Sequence, residues 1–408
     1  MRKIKIDVKK TEYTLIVLSL FLAAMNFYAK FFYFVFAAFI VLIILEKNLK
    51  VNLNTVPYLL LGINMAIYNA DEGILSVLRC LAYVFCYMIG CNLLLNVPLD
   101  DSLNNEESLK HIQKRGYTVI SAICWGAFIH YMLNFAINYN SLLGRNTNDI
   151  WTGERLSTTI QAAIACLMTG FAVSMVICPT RKIFRYIGIV SVIGIMAYNL
   201  MLAGRTLLFM LVIVFAVGFI YFFFNTKNQA QKTEALIIVI LISVVALLLF
   251  ILNVGGIKDY IFGSNLFLRF DGVDENLFGG ERVRRKILFL RNALKYPFGG
   301  LHLRERFGYA HDLLLDAYDE YGFIELIILI FVLTAGIKNL VQLCRNKDLD
   351  MSFRLSYLCV YVSILLEFCI EPIFEGVPWL FVCYCLINGC VDSTNKAYLK
   401  HSVRRQIL

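Results

Sequence analysis

Charge is what this sequence has least of. Asp, Glu, Lys and Arg make up 16% of its 408 residues, against roughly 25% in ordinary soluble domains, so polar groups cannot cover a globular surface of this size. That shortage excludes a soluble enzyme and a nucleic-acid-binding module. The net charge of +9 is then a topology signal rather than a phosphate-binding footprint. Also missing is a disulfide framework. None of the twelve cysteines falls in a long polar stretch; most sit inside apolar runs, Cys369 among them, with Cys178 and Cys344 at segment ends, as expected of small apolar space-fillers. No Cys/His spacing suits zinc. The basic start, Met1-Arg2-Lys3-Ile4-Lys5, leads into an apolar run with no small-residue cleavage site after it, which predicts a retained first span rather than a signal peptide. No internal repeat or low-complexity segment is visible.

What is abundant is apolar. Such residues are 59% of the chain, the mean hydropathy is +0.70, and apolar runs near the length of a bilayer crossing recur between short charged stretches. The expected fold is all-α and polytopic, with about twelve spans and one long external helical loop. The spans are expected at Tyr13–Ala29, Phe31–Leu45, Val56–Asn69, Ile74–Leu95, Tyr117–Ile137 and Thr159–Cys178. Six more follow at Ile183–Leu202, Thr206–Phe224, Ala235–Leu252, Tyr321–Leu340, Phe353–Ile370 and Val377–Val391. Lys30 alone separates the first two. The chain divides into a membrane domain over 1–252, an external loop over 253–320 and a second membrane part over 321–408 with a basic tail.

Lysine and arginine set the orientation. They crowd alternate connections, such as Arg2–Lys10, Lys110–Arg115, Arg181–Arg185, Lys338–Arg354 and Lys396–Arg405, while the opposite short loops hold only Lys30, Arg145, Arg155 and Arg205. The positive-inside rule predicts both termini in the cytoplasm. The loop at 253–320 is basic but long, and long loops translocate largely regardless of charge. Within it Glu281–Tyr296 has the pattern of an amphipathic helix. Val283, Ile287, Leu290 and Leu294 recur at helical spacing, Arg284, Arg285, Arg291 and Lys295 take other positions, and Pro297-Phe298-Gly299-Gly300 ends it.

Candidate chemistry gathers on the predicted outer side. Arg205 stands in the tight turn Leu202-Ala203-Gly204-Arg205-Thr206 at the start of a span, where a guanidinium beside a helix N-terminus suits an anion; a snorkelling anchor is the structural alternative. Arg145, Arg155 and the group Arg282, Arg284 and Arg285 add positive charge, as a phosphate or pyrophosphate ligand would need, or as attraction to anionic headgroups would explain. His311, in Tyr309-Ala310-His311-Asp312-Leu313-Leu314-Leu315-Asp316, has the chemistry to take a proton from a hydroxyl nucleophile, with Asp312, Asp316 and Glu320 near enough in sequence to orient it. His130 falls inside a span, and His302 is a second external histidine. Glu367 and Glu371, one turn apart, form either a carboxylate pair or a solvated helix end. Arg79 is the main candidate for a charge within the membrane.

These residues resemble the bacterial O-antigen polymerase and O-antigen ligase superfamily. The similarity lies in the external Gly204–Arg205 turn, the Arg-rich helix leading to Pro297 and Gly300, and the stretch His311–Asp316 followed by Gly322. Asp312 stands where that family usually has Asn, and the turn lacks its usual Ser residues. The resemblance implies a metal-independent glycosyltransferase in the bacterial plasma membrane that uses a polyprenyl-pyrophosphate glycan donor. It joins lipid-linked repeat units of a surface polysaccharide on the outer face, with no cofactor. By the same resemblance Arg205 and Arg282 or Arg285 hold the pyrophosphate, and His311 is the catalytic residue activating the acceptor hydroxyl. Arg155, as a further external arginine, and Asp312, beside His311 in sequence, are expected in the substrate site with them. The implied partners are the polyprenyl-linked donor and acceptor, membrane lipids, a chain-length regulator and a flippase. A ligase delivering glycan to a lipid or protein acceptor remains open on these residues. So does a lipid-linked oligosaccharide flippase or other twelve-span transporter, although no repeated halves are visible.

Overall fold

In a computed structural model, residues 8–45, 49–95, 105–139, 146–202, 204–263, 281–292, 295–299 and 312–407 are described. They are almost wholly helical, with one two-stranded hairpin. In chain order the helices are α1 (Val8–Ala24), α2 (Phe31–Leu45), α3 (Thr55–Tyr68), α4 (Ile74–Leu95) and α5 (Asn105–Asn138). The hairpin β1 (Asn146–Asn148) and β2 (Arg155–Ser157) comes next, then α6 (Thr158–Ile177), α7 (Lys182–Met201), α8 (Arg205–Asn225) and α9 (Gln229–Ile251). The short α10 (Ile257–Phe262), α11 (Glu281–Asn292), α12 (Leu313–Arg345), α13 (Met351–Phe368), α14 (Ile373–Gly376) and α15 (Pro378–Ile407) complete the chain.

Each of the twelve predicted spans falls on a helix. Among the described residues, seven helices are long and apolar enough to cross a bilayer: α4 to α8, α12 and α13. This marks a membrane-embedded protein. The apolar α1, α2 and α3 are shorter; α3, at 14 residues, rises about 21 Å at 1.5 Å per residue, less than a ~30 Å hydrocarbon core. The first predicted span runs too far. The helix stops at Ala24, and Asn26, Tyr28 and Ala29 take positive φ in a turn that ends at Lys30. The fifth and tenth predicted spans start late, because polar turns at Asn105 and Leu313 extend those helices beyond their apolar runs.

The chain forms two compact units. The first comprises 1–129, 281–350 and 368–408. Its centre is the crossing of α4 and α15, which small residues make close: a Cβ on Gly90 would lie 2.3 Å from the Leu386 carbonyl oxygen, and one on Gly389 would lie 2.2 Å from that of Tyr87. Such glycines let helices approach in lipid, where packing rather than water exclusion drives association. Buried Asp392 on α15 gathers the polar groups of this unit, accepting from Tyr87 (2.8 Å), Asn54 (2.9 Å) and Lys396 (2.6 Å). Helix α12 kinks at Gly322 (φ 77, ψ −175). The kink turns the Phe323 N–H out of the helix ladder, and it donates instead to the Pro297 carbonyl (2.9 Å).

The second unit comprises 130–280 and 351–367. Its axis is α6, buried from Gln161 to Ile177 and mostly apolar, as an enclosed helix requires, with buried Gln161, Thr169 and Ser174 each hydrogen-bonded. It packs against α7 and α8. Gly170 lets α13 approach, since a Cβ there would meet the Cys359 carbonyl oxygen at 2.5 Å.

Helix α11 forms where the sequence predicts an amphipathic helix but buries a different face. Ile287 and Leu290 are exposed, while Phe289 is fully buried against Leu315 and Tyr318 of α12. The edge-to-face stacking of the inserted ring on Tyr318 fixes the helix rotation.

Candidate functional site

The turn carrying Arg205 is built before the arginine is considered. Asn199, near the end of α7, donates its amide to the Gly204 carbonyl (2.7 Å) and accepts the Gly204 N–H on its backbone carbonyl (3.2 Å). Thr158, first residue of α6, donates its hydroxyl to the Leu202 carbonyl (3.0 Å). Between these two anchors a Cβ on Gly204 would fall 2.1 Å from Asn199 Oδ1. Arg205 is therefore delivered at a fixed place, as the first residue of α8, half-buried at that end of the unit.

Arg155 reaches the same end by a second route. It opens β2, pairs with Asn148 in the antiparallel hairpin, and is exposed. Two residues on, Ser157 caps α6 by accepting the Ile160 N–H (3.3 Å), so the hairpin leads straight to the Thr158 anchor of the arginine turn. The segments that carry Arg155 and Arg205 are thus tied by the bond of Thr158 to the Leu202 carbonyl.

What holds the hairpin is a polar stripe along α5 that sequence reasoning passed over. His130, Asn134 and Asn138 recur every fourth residue and so share a face. His130 Nε2 and Asp149 Oδ2 lie 2.7 Å apart, both residues buried. Asn134 accepts the Ile150 N–H (2.9 Å), and Asn138 both accepts from the Asn148 N–H (2.9 Å) and donates to its carbonyl (2.8 Å). From α6, Gln161 donates to the Thr147 hydroxyl (3.0 Å). Burial tends to raise the pKa of Asp149, but the hydrogen bond to His130 and the N–H groups of Trp151 and Thr152 outweigh it, so the carboxyl stays below its ordinary value. An ionised Asp149 can only accept, which places the proton of the shared bond on Nε2. The sequence signal was available in the spacing of three polar residues on the otherwise apolar second half of α5.

In the first unit Asp312 is the N-cap of α12, accepting the Leu315 N–H (2.9 Å). Lys286 of α11 pairs with its other oxygen (2.9 Å) and donates to the Cys369 carbonyl (3.2 Å). Asp312 is thus a structural cap as well as a sequence-predicted site residue. Asp316, one turn later and buried, accepts the Phe374 N–H (2.6 Å) and the Glu375 N–H (3.4 Å) at the start of α14. Asp316, Glu320 and Glu375 each bring one oxygen within 4.8 Å of the others, the grouping among the described residues that could accept a cation. Its buried member is already engaged in holding α14.

His311, His302 and Arg145 lie outside the described residues, as do the side chains of Arg282 and Arg285, whose backbones belong to α11. Glu367 and Glu371 are buried, at 0% and 4% exposure, so neither is a solvated helix end. Arg79 is exposed near the start of α4 and lies over the Phe32 ring at 5.8 Å. Among the buried ionisable residues the sequence reading missed are Asp392 of α15 and Glu325 of α12, the latter at 0% exposure and accepting from Asn64 (2.9 Å). No protein-family model matches the sequence, and no curated protein does.

Proposed function

We propose that this protein is a bacterial surface-polysaccharide polymerase. It joins glycan repeat units carried on polyprenyl pyrophosphate at the outer face of the plasma membrane, with both termini in the cytoplasm. The observation that supports it best is the Gly204–Arg205 turn, an arginine set by two side-chain anchors at the first position of a long apolar helix, with the hairpin of Arg155 leading into one of those anchors. A guanidinium at a helix N-terminus is suited to a pyrophosphate oxygen, because the fork, the positive helix end and the low-dielectric surroundings all favour negative charge.

In this reading the acceptor sugar hydroxyl attacks the anomeric carbon of the donor. His311 takes the hydroxyl proton, the bond from that carbon to the pyrophosphate oxygen breaks, and polyprenyl pyrophosphate leaves. Arg205 and Arg155 neutralise the charge growing on the leaving group, which is transition-state electrostatics rather than covalent catalysis; for Arg282 or Arg285 the same role rests on the family resemblance alone. Asp312, anchored by Lys286, sets the start of α12 immediately after His311.

Arg205→Lys keeps the charge and loses the bidentate fork. Loss of a charge-assisted contact is worth about 2 kcal/mol, so polymer formation in a deletion strain should fall roughly thirtyfold in rate while the protein level holds. Polymer of full length and amount would remove Arg205 from the site. Repeat units trapped on the cytoplasmic face of the deletion strain would mean a flippase, and polymer left on its carrier would mean a ligase.

A further inference from the structure

At the other end of the second unit, where α6 ends and α7 begins, lies a cavity of about 270 Å³. Its polar lining includes Arg181, Lys182, Arg185 and Glu234, and Ile177 and Phe222 supply part of its apolar wall. Arg185 is engaged in structure. Its Nε donates to the Val176 carbonyl (3.1 Å) and its Nη1 to Glu234 (2.6 Å), which ties α6, α7 and α9 together and neutralises the one carboxylate in the lining. Arg181 and Lys182 are both exposed and neither lies within ion-pair distance of a carboxylate among the described residues, although Lys182 adds to the positive charge acting on Glu234. Arg181 also stands at the N-cap of α7 without a side-chain hydrogen bond to the helix. A guanidinium cannot accept, so the Arg181 side chain caps none of the first N–H groups of α7; that of Phe184 is met by the Arg181 carbonyl (2.9 Å), and the two before it face this end.

The volume suits a headgroup rather than a whole amphiphile, being at the lower bound of ligand pockets. The surroundings suit an amphiphile. Tyr186, next to Arg185, is 65% exposed, and Phe224, two residues past Phe222, is 79% exposed. A soluble anion would need only the cations; the exposed apolar surface that α7 and α8 carry near this end, Tyr186 and Phe224 included, fits a molecule with apolar tails. Basic recesses between membrane helices are recurrent headgroup sites.

We infer that this cavity binds the headgroup of an anionic phospholipid, with the phosphate between Arg181, Lys182 and the start of α7. The site is separate from the arginine turn and does not depend on the proposed polymerase activity.

The test uses the full chain in neutral detergent, melted with phosphatidylglycerol, phosphatidylcholine or inorganic phosphate. Phosphatidylglycerol should raise the melting temperature in a saturable way, and phosphatidylcholine should not. The double variant Arg181→Gln/Lys182→Gln, both sites being exposed, should melt like wild type without lipid and bind phosphatidylglycerol at least about tenfold more weakly. Lys227→Gln, at an exposed lysine outside the cavity, should bind as wild type. If the double variant melts low without lipid, Lys182→Gln alone takes its place, with an expected weakening of about fivefold. An unchanged lipid response in these variants, or an equal response to phosphatidylcholine, overturns the proposal. Stabilisation by inorganic phosphate matching that by phosphatidylglycerol identifies a free-anion site and overturns the lipid assignment.

Discussion

Gly204 has no room for a side chain. Its would-be Cβ falls on Asn199 Oδ1, and Asn199 cannot retreat without giving up the bond that closes the turn. Gly204→Ala should therefore displace Arg205 and cost about 2 kcal/mol in stability from the lost buried hydrogen bond. Polymer formation should fall with it, and Asn199→Ala should reproduce the defect; full activity in both variants would separate the turn from the chemistry. The glycine and the arginine were legible in the sequence as a pair, but their anchors were not, because Thr158 is distant in sequence and Asn199 looks like an ordinary helical residue. The same holds for His130, whose partner Asp149 stands on another element. Asp149 has a depressed folded pKa, so its contribution is present above the ordinary aspartate value of about 4 and is lost as pH falls through the lower folded value. Hydrogen-exchange protection of residues 146–157, corrected for intrinsic rate, should be flat from about pH 5 upward and collapse below about pH 4. In Asp149→Asn the protection should be reduced at every pH, leaving little for acid to remove. Wild-type protection unchanged at acid pH would show that the pair does not hold the hairpin.

The elements divide by how their evidence is written in the chain. Long apolar runs made α4 to α8, α12 and α13 legible, because a bilayer crossing needs both length and composition. Helix ends were not, since caps such as Asp312 and bends such as Gly322 are single residues whose effect depends on what packs beside them. Helix α11 shows the same limit. Its period was read correctly, yet the aliphatic stripe at Ile287 and Leu290 is exposed and Phe289 carries the docking. Phe289→Ala should cost about 3 kcal/mol locally and release α11 from Leu315 and Tyr318, seen as faster proteolysis between residues 281 and 292. Leu290→Ala should leave that rate near wild type. Equal sensitivity of the two variants would mean that the stripe, not the ring, holds the helix.

For the whole molecule, composition declared a membrane protein, and the division of its residues into two contact units was invisible, because each unit is assembled from distant stretches such as 1–129 with 368–408. Sidedness is the whole-molecule property on which the proposed activity most depends, and the cysteines provide a native probe of it. Cys369 is the exposed thiol; Cys178 is half-buried and the other ten are buried. In the proposed orientation Cys369, in the turn after α13, faces outward and Cys178 faces the cytoplasm. Burial raises the thiol pKa of Cys369, Asp312 adds to this and Lys286 offsets part of it. Its reaction with maleimide should therefore keep accelerating beyond the ordinary thiol value of about pH 8.5. A membrane-impermeant maleimide should label intact cells at this one position, and Cys369→Ser should abolish the signal. Labelling that requires permeabilised cells would put this turn in the cytoplasm. The arginine turn would then be reassigned along with the positive-inside orientation, since a polymerase acting on exported repeat units needs its site outside.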